Sequence, residues 1–89
     1  MLDDTLDTRR RRAAWRAAHR GTKELDLLIG RYAEVHLGQM DDPALSHFEV
    51  FLSVEEPDLQ RWLLAPQADP SGEFAALVSD LRRFHGLAS

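Results

Sequence analysis

The sequence predicts an all-α fold, a compact antiparallel bundle of five short helices. Three observations predict it. No stretch alternates apolar and polar residues with a period of two, as a half-buried strand would. Apolar residues recur instead at three- and four-residue spacings. Residues that start or stop helices separate these stretches at short intervals: Gly21, Gly38, Asp42-Pro43, Glu56-Pro57 and the run from Ala65 to Gly72. Short connections favour antiparallel neighbours, hence a bundle.

Each element has a local reason. Residues 1–8 are acidic and poor in apolar content, which predicts a flexible tail, with Thr5, Asp7 or Thr8 capping the first helix. Arg9 to Arg20 contains good helix formers and no Gly or Pro. Its apolar face is thin, with Ala14, Ala17 and Ala18 beside Trp15 as the one large anchor, so it buries little area. Gly21 ends it, and Thr22 caps the next helix. There Leu25, Leu28, Ile29, Tyr32 and His36 share one face. Gly30 interrupts that face at a cost of roughly 1 kcal/mol against alanine, and close approach of a neighbouring helix explains it.

Asp42-Pro43 opens a third helix, with Leu45, Phe48, Phe51 and Leu52 inward. Glu55-Glu56-Pro57-Asp58 opens a fourth, with Leu59, Trp62 and Leu63 on one side. The run from Ala65 to Gly72 reads as a loop. A last helix carries Phe74, Leu77, Val78, Leu81 and Phe84 on one face and ends near Gly86. Residues 9–86 thus read as a single domain.

Composition excludes several classes. Eighty-nine residues support one modest core and leave no room for a deep cleft under a second domain. No apolar run approaches the roughly 20 residues that span a bilayer. Asp3, Asp4 and Asp7 break any apolar leader, and cysteine is absent, so disulfides and thiolate chemistry are excluded and a cytoplasmic location is expected. The net charge of -4 is uneven: residues 1–31 carry +3 and residues 32–89 carry -7. An acidic chain with one basic end predicts a local anionic partner rather than general nucleic-acid affinity.

Catalytic patterns are absent. His19, His36, His47 and His85 have no partner at metal-ligand spacing, so no metal site is expected. The sequence has no phosphate-cradling glycine loop and no nucleophile elbow. Asp41/Asp42 and Glu55/Glu56 precede helix-starting prolines and read as caps rather than acid–base pairs. An enzyme is therefore not expected. The run Arg9 to Arg12 offers a phosphate-binding alternative, a small nucleic-acid-binding or regulatory protein. Against it, the rest of the surface is acidic and no aromatic platform accompanies the run, so a solvated, partly frayed helix start is the favoured reading.

The stretch Arg20-Gly21-Thr22-Lys23-Glu24-Leu25-Asp26 stands between a basic helix and an amphipathic one. Capping alone accounts for Arg20, Gly21 and Glu24. Yet Trp15 to Leu37, with this Arg-Gly-x-x-Glu-Leu-Asp core and Gly30-Arg31-Tyr32, resembles the SdhE family (CptB/YgfY-like). Pro57-Asp58-Leu59-x-x-Trp62 is similar to a later segment of that family, in the same order and at similar spacing. The likeness covers about residues 9 to 84. It departs at Ala17 and Ala18, where family members often carry a serine or another polar residue.

The resemblance implies a five-helix assembly factor without catalytic residues of its own. It would bind the flavoprotein subunit of succinate dehydrogenase, in some members of fumarate reductase, and promote covalent FAD attachment. It implies that Arg20, Gly21 and Glu24 form the client-binding surface, with Arg16 and Lys23 steering at its rim and Trp15 as either a client anchor or part of the core. FAD then belongs to the client and is not bound stably by this chain. A monomer when free, with no nucleic acid and no membrane insertion, completes the expectation.

Overall fold

The computed structural model describes residues 5–65 and 72–87. Five α-helices form among them, and no strand. They are α1 (Leu6–Ala18), α2 (Lys23–His36), α3 (Asp42–Phe51), α4 (Glu56–Leu64) and α5 (Ala75–Phe84). The all-α expectation holds. The chain divides into two compact units, Met1–Ser53 and Val54–Ser89, where the sequence suggests one domain.

In the first unit α1 packs on both α2 and α3. Helix α1 begins earlier than the sequence suggests, at Leu6, because the Thr5 side chain accepts the Thr8 N–H at 3.2 Å. Residues 6–8 therefore belong to the helix and not to a tail; residues 1–4 lie outside the described residues. Thr22 caps α2 as expected, accepting the Leu25 N–H at 3.3 Å. The cap of α3 is Asp41, one residue before the expected Asp42; it accepts the Ala44 N–H at 3.0 Å and puts Pro43 in the first turn. Leu25, Ile29, Leu45, Phe48 and Phe51 are fully buried.

Helix α1 is held differently from its neighbours. It buries only Ala13 and Ala17, and Trp15, expected as its apolar anchor, is 63% exposed. Arginines make up the difference. Arg9 donates to both carboxylate oxygens of Glu49, at 2.8 and 3.3 Å, to Asp42 at 2.9 Å and to the Ser46 hydroxyl at 2.9 Å. Arg10 donates to the Met40 carbonyl at 2.7 Å. Arg16 reaches the Ser53 hydroxyl at 3.2 Å, and Arg20 the Leu52 carbonyl. Arg9, Arg16 and Arg20 lie seven and four residues apart, which is one helical face continued into the bend. Charged, fork-shaped donors thus replace the apolar stripe that normally binds a helix to its neighbour.

In the second unit α4 packs on α5. Leu59, Leu63, Val78 and Leu81 are buried. Phe84, expected inward, is 39% exposed. Arg82 is buried instead and donates to the Leu63 carbonyl at 2.8 Å and the Trp62 carbonyl at 3.3 Å, satisfying the C-terminal carbonyls of α4. Gly86, in the left-handed region at φ +72°, closes α5: its N–H and that of Leu87 return to the carbonyls of Arg83 and Arg82.

Candidate functional site

The bend between α1 and α2 brings the predicted site residues together, but not on one footing. Helix α1 stops at Ala18, and the chain turns through His19 to Thr22. Gly21 has φ +116°, a conformation that side-chain-bearing residues rarely adopt. It lies exposed at the apex, and Lys23 and Glu24 stand exposed beside it on the first turn of α2. These three are presented to solvent.

Arg20 and Arg16 are not. Both are half-buried, and both guanidinium groups reach the C-terminal end of α3. Arg20 therefore ties the bend to Leu52, and Arg16 ties the preceding turn to Ser53. Their contacts position the bend from behind.

Sequence reasoning misses Asp26. Its carboxylate accepts the backbone N–H of Arg20 and that of Gly21, the latter at 3.2 Å. These two donors lie just past the C-terminus of α1. The available signal is an acidic residue in the first turn of the next helix, within reach of the bend it closes. One carboxylate thus fixes both residues on the N-terminal side of the bend, while Thr22 fixes the start of α2.

Behind the bend, the outer faces of α1 and α2 enclose an open groove of about 560 Å³. Trp15 and Leu27 are among its walls, Ala14, Ala18 and Gly30 line it, and Arg11 and Arg31 stand at its edges. Gly30 explains how closely the helices meet: a Cβ built there would lie 3.3 Å from both Cα and Cβ of Ala18. The expected close approach of a neighbouring helix at Gly30 is thus present, and its partner is α1.

The Arg9 to Arg12 run is divided. Arg9 and Arg10 turn toward α3 and the segment before it. The solvated helix start expected for the run therefore fails at Arg9, whose side chain is 16% exposed. The hydrogen bond from Arg9 holds the Asp42 carboxyl below the usual carboxylate range, and those to Glu49 and Asp42 raise Arg9 still further. Among the described residues no three His, Cys, Asp or Glu side chains gather as a metal site would require, and no helix is long and apolar enough to cross a membrane.

Fold and site together define a small all-α protein that presents a braced, charged bend. The family model described as "Flavinator of succinate dehydrogenase" matches residues 11–85, and the chain belongs to this family. It is 36% identical to an FAD assembly factor SdhE of Acetobacter pasteurianus, over 92% of this chain and 79% of that protein. It is 35% identical to an FAD assembly factor SdhE of Xylella fastidiosa, over 76% of this chain and 69% of that protein. The mitochondrial succinate dehydrogenase assembly factor 2 of Arabidopsis thaliana is 34% identical over 66% of this chain, which spans only 31% of that longer protein. No solved structure matches.

Proposed function

We propose that this protein binds the flavoprotein subunit of succinate dehydrogenase in the cytoplasm and promotes covalent attachment of FAD to it. The fumarate reductase flavoprotein is a second client on the same reading. The observation that carries the proposal is the exposed apex of Gly21, Lys23 and Glu24, braced by Asp26 and Arg20, in a chain of the flavinator family.

The bend supports such a role physically. Gly21 offers backbone without a side chain in the way, so a partner can approach closely. Glu24 is an exposed acceptor suited to a client arginine or backbone donor. Lys23 adds charge that speeds encounter at the rim. Arg20 and Arg16 serve the same surface as positioning residues, since each has one guanidinium donor on the C-terminal end of α3. FAD is read as the client's group: the described residues include no strand, and hence no strand-to-helix dinucleotide cradle. With no catalytic group assigned to this chain, its contribution is to favour the client conformation in which attachment occurs. The free protein is read as a monomer with no nucleic-acid partner.

Covalent FAD on the flavoprotein subunit, read by in-gel flavin fluorescence in a strain lacking its own factor, tests this. The wild-type chain restores the signal, and Glu24→Ala reduces it, by about 2 kcal/mol of binding if Glu24 is a central contact. A wild-type chain that restores no covalent FAD removes the proposal.

A further inference from the structure

We propose that Asp26 is a positioning residue for client binding: it pre-orders the bend through Arg20 and Gly21 and does not itself touch the client. This rests on the reading of the bend as the client-binding surface. It assigns part of the affinity to a residue outside Arg-Gly-x-x-Glu.

Glycine makes the apex approachable and also loose. Gly21 has no Cβ to restrict it, and glycine loses more conformational freedom on ordering than any other residue. A client that had to order this residue on arrival would bind more weakly by the free energy of doing so. That penalty shrinks where the free protein already keeps the bound shape.

Asp26 keeps it. Its Oδ1 accepts the Gly21 N–H at 3.2 Å and the Arg20 N–H as well. Among the described residues the Gly21 N–H has no other partner. Asp26 is half-buried in the first turn of α2, and its own N–H donates to the Thr22 carbonyl at 2.9 Å. The same helix buries Leu25 and Ile29 completely, so the acceptor is mounted on the core. From the other side the Arg20 guanidinium donates to the Leu52 carbonyl. Arg20 is therefore held by its backbone to α2 and by its side chain to the end of α3. Gly21, Lys23 and Glu24 remain exposed for the client.

Both bonds end on one oxygen, which gives the role a signature. An asparagine has a carbonyl oxygen at that place and can accept both N–H groups without the charge. An alanine can accept neither. A positioning role therefore survives Asp26→Asn and fails in Asp26→Ala. A direct charge contact with the client would fail in both alike.

The test measures binding of the purified flavoprotein subunit of succinate dehydrogenase to the full chain, at a temperature where circular dichroism shows every variant folded. Asp26→Ala weakens binding about tenfold, through slower association, because the competent bend becomes a minor population. Asp26→Asn stays much closer to wild type. Leu45→Val, in the core of the same unit, lowers the melting temperature and leaves the affinity unchanged. In a Glu24→Ala background Asp26→Ala weakens binding less than it does alone, since the contact it positions is already gone. In the free chain the Arg20 and Gly21 amides exchange faster in Asp26→Ala than in wild type, and Asp26→Asn slows them again. Wild-type affinity in folded Asp26→Ala overturns the positioning role and leaves the bend standing as the client surface. Equal losses in the Asn and Ala variants, or an equal loss in Leu45→Val, overturn it as well. A wild-type chain that does not bind the subunit overturns the reading beneath it too.

Discussion

The Asp26 carboxylate accepts the Gly21 N–H at 3.2 Å from the first turn of the following helix. The same oxygen takes the Arg20 N–H, so one acceptor closes the bend twice. Asp26→Ala leaves both donors without that acceptor. A loss of roughly 1–2 kcal/mol in urea unfolding is expected, with Asp26→Asn retaining part of it through its amide oxygen. Equal stability of all three proteins would show that water serves the bend as well as Asp26 does.

Gly21 adopts φ +116°, so any other residue at the apex is strained whatever the space around it. Gly21→Ala costs about 1–3 kcal/mol. Gly21→Arg carries the same strain and also places a long cation where a partner would approach. The variant is expected to remain folded with a lowered melting temperature and to lose client capture. Retained capture would separate the apex from the binding surface.

Helix starts are legible in this sequence because their chemistry is local. Thr22 caps α2 as expected, and proline marks the openings of α3 and α4. The seating of α1 is not legible. A large residue on a helix with an alanine face is normally its anchor, and by that rule Trp15 takes the place; arginines hold the helix instead, leaving Trp15 outside. Consecutive arginines look alike in sequence, and what separates Arg9 from Arg11 lies more than thirty residues away, at Asp42 and Glu49. Asp26 escapes sequence reasoning for a related cause: its partners are backbone groups whose direction only the turn defines.

The Arg9 cluster should give α1 a distinct acid response. Asp42 has its carboxyl lowered by Arg9, so its folded pKa lies below its unfolded one, near 3.9. Its contribution is then complete above that unfolded value and fades as pH falls through the folded pKa. Arg9 stays charged throughout this range, so the interaction is lost through protonation of its carboxylate partners. Asp42→Asn should lower the melting temperature at pH 7, with the gap to wild type closing as the pH is taken into the acid range. Because the pair is open to solvent at Asp42, high salt should narrow the gap as well. A gap that widens in acid contradicts this linkage.

In the second unit, Arg82 tests how far a buried cation supports a helix end. It donates to the carbonyls of Leu63 and Trp62 at the close of α4. Arg82→Met keeps the apolar stem and removes both donors. A loss of roughly 2–3 kcal/mol is expected from two charge-assisted bonds and the buried carbonyls left behind. Arg82→Lys recovers part of this, since one ammonium can reach a carbonyl without the planar fork. Hydrogen exchange localises the effect: protection should fall in α4 and α5 first.

Gly30 and Ala18 give the most discriminating pair of substitutions. On an exposed helix Gly30→Ala would add up to about 1 kcal/mol of helix propensity. Here the new methyl would sit 3.3 Å from Ala18 Cα and Cβ, and the first of these is backbone on another helix. To make room α1 must shift by a few tenths of an ångström, against the arginine contacts that tie it to α3. The propensity gain is therefore expected to be cancelled, and Gly30→Val to cost about 1–3 kcal/mol through overpacking. Ala18→Gly removes the obstructing Cβ but not the Cα. The double variant Ala18→Gly with Gly30→Ala should then recover part of the loss beyond additivity, a coupling that urea midpoints of the four proteins resolve. Full stabilisation by Gly30→Ala alone would mean that the helices meet less closely, and the floor of the groove would need another explanation.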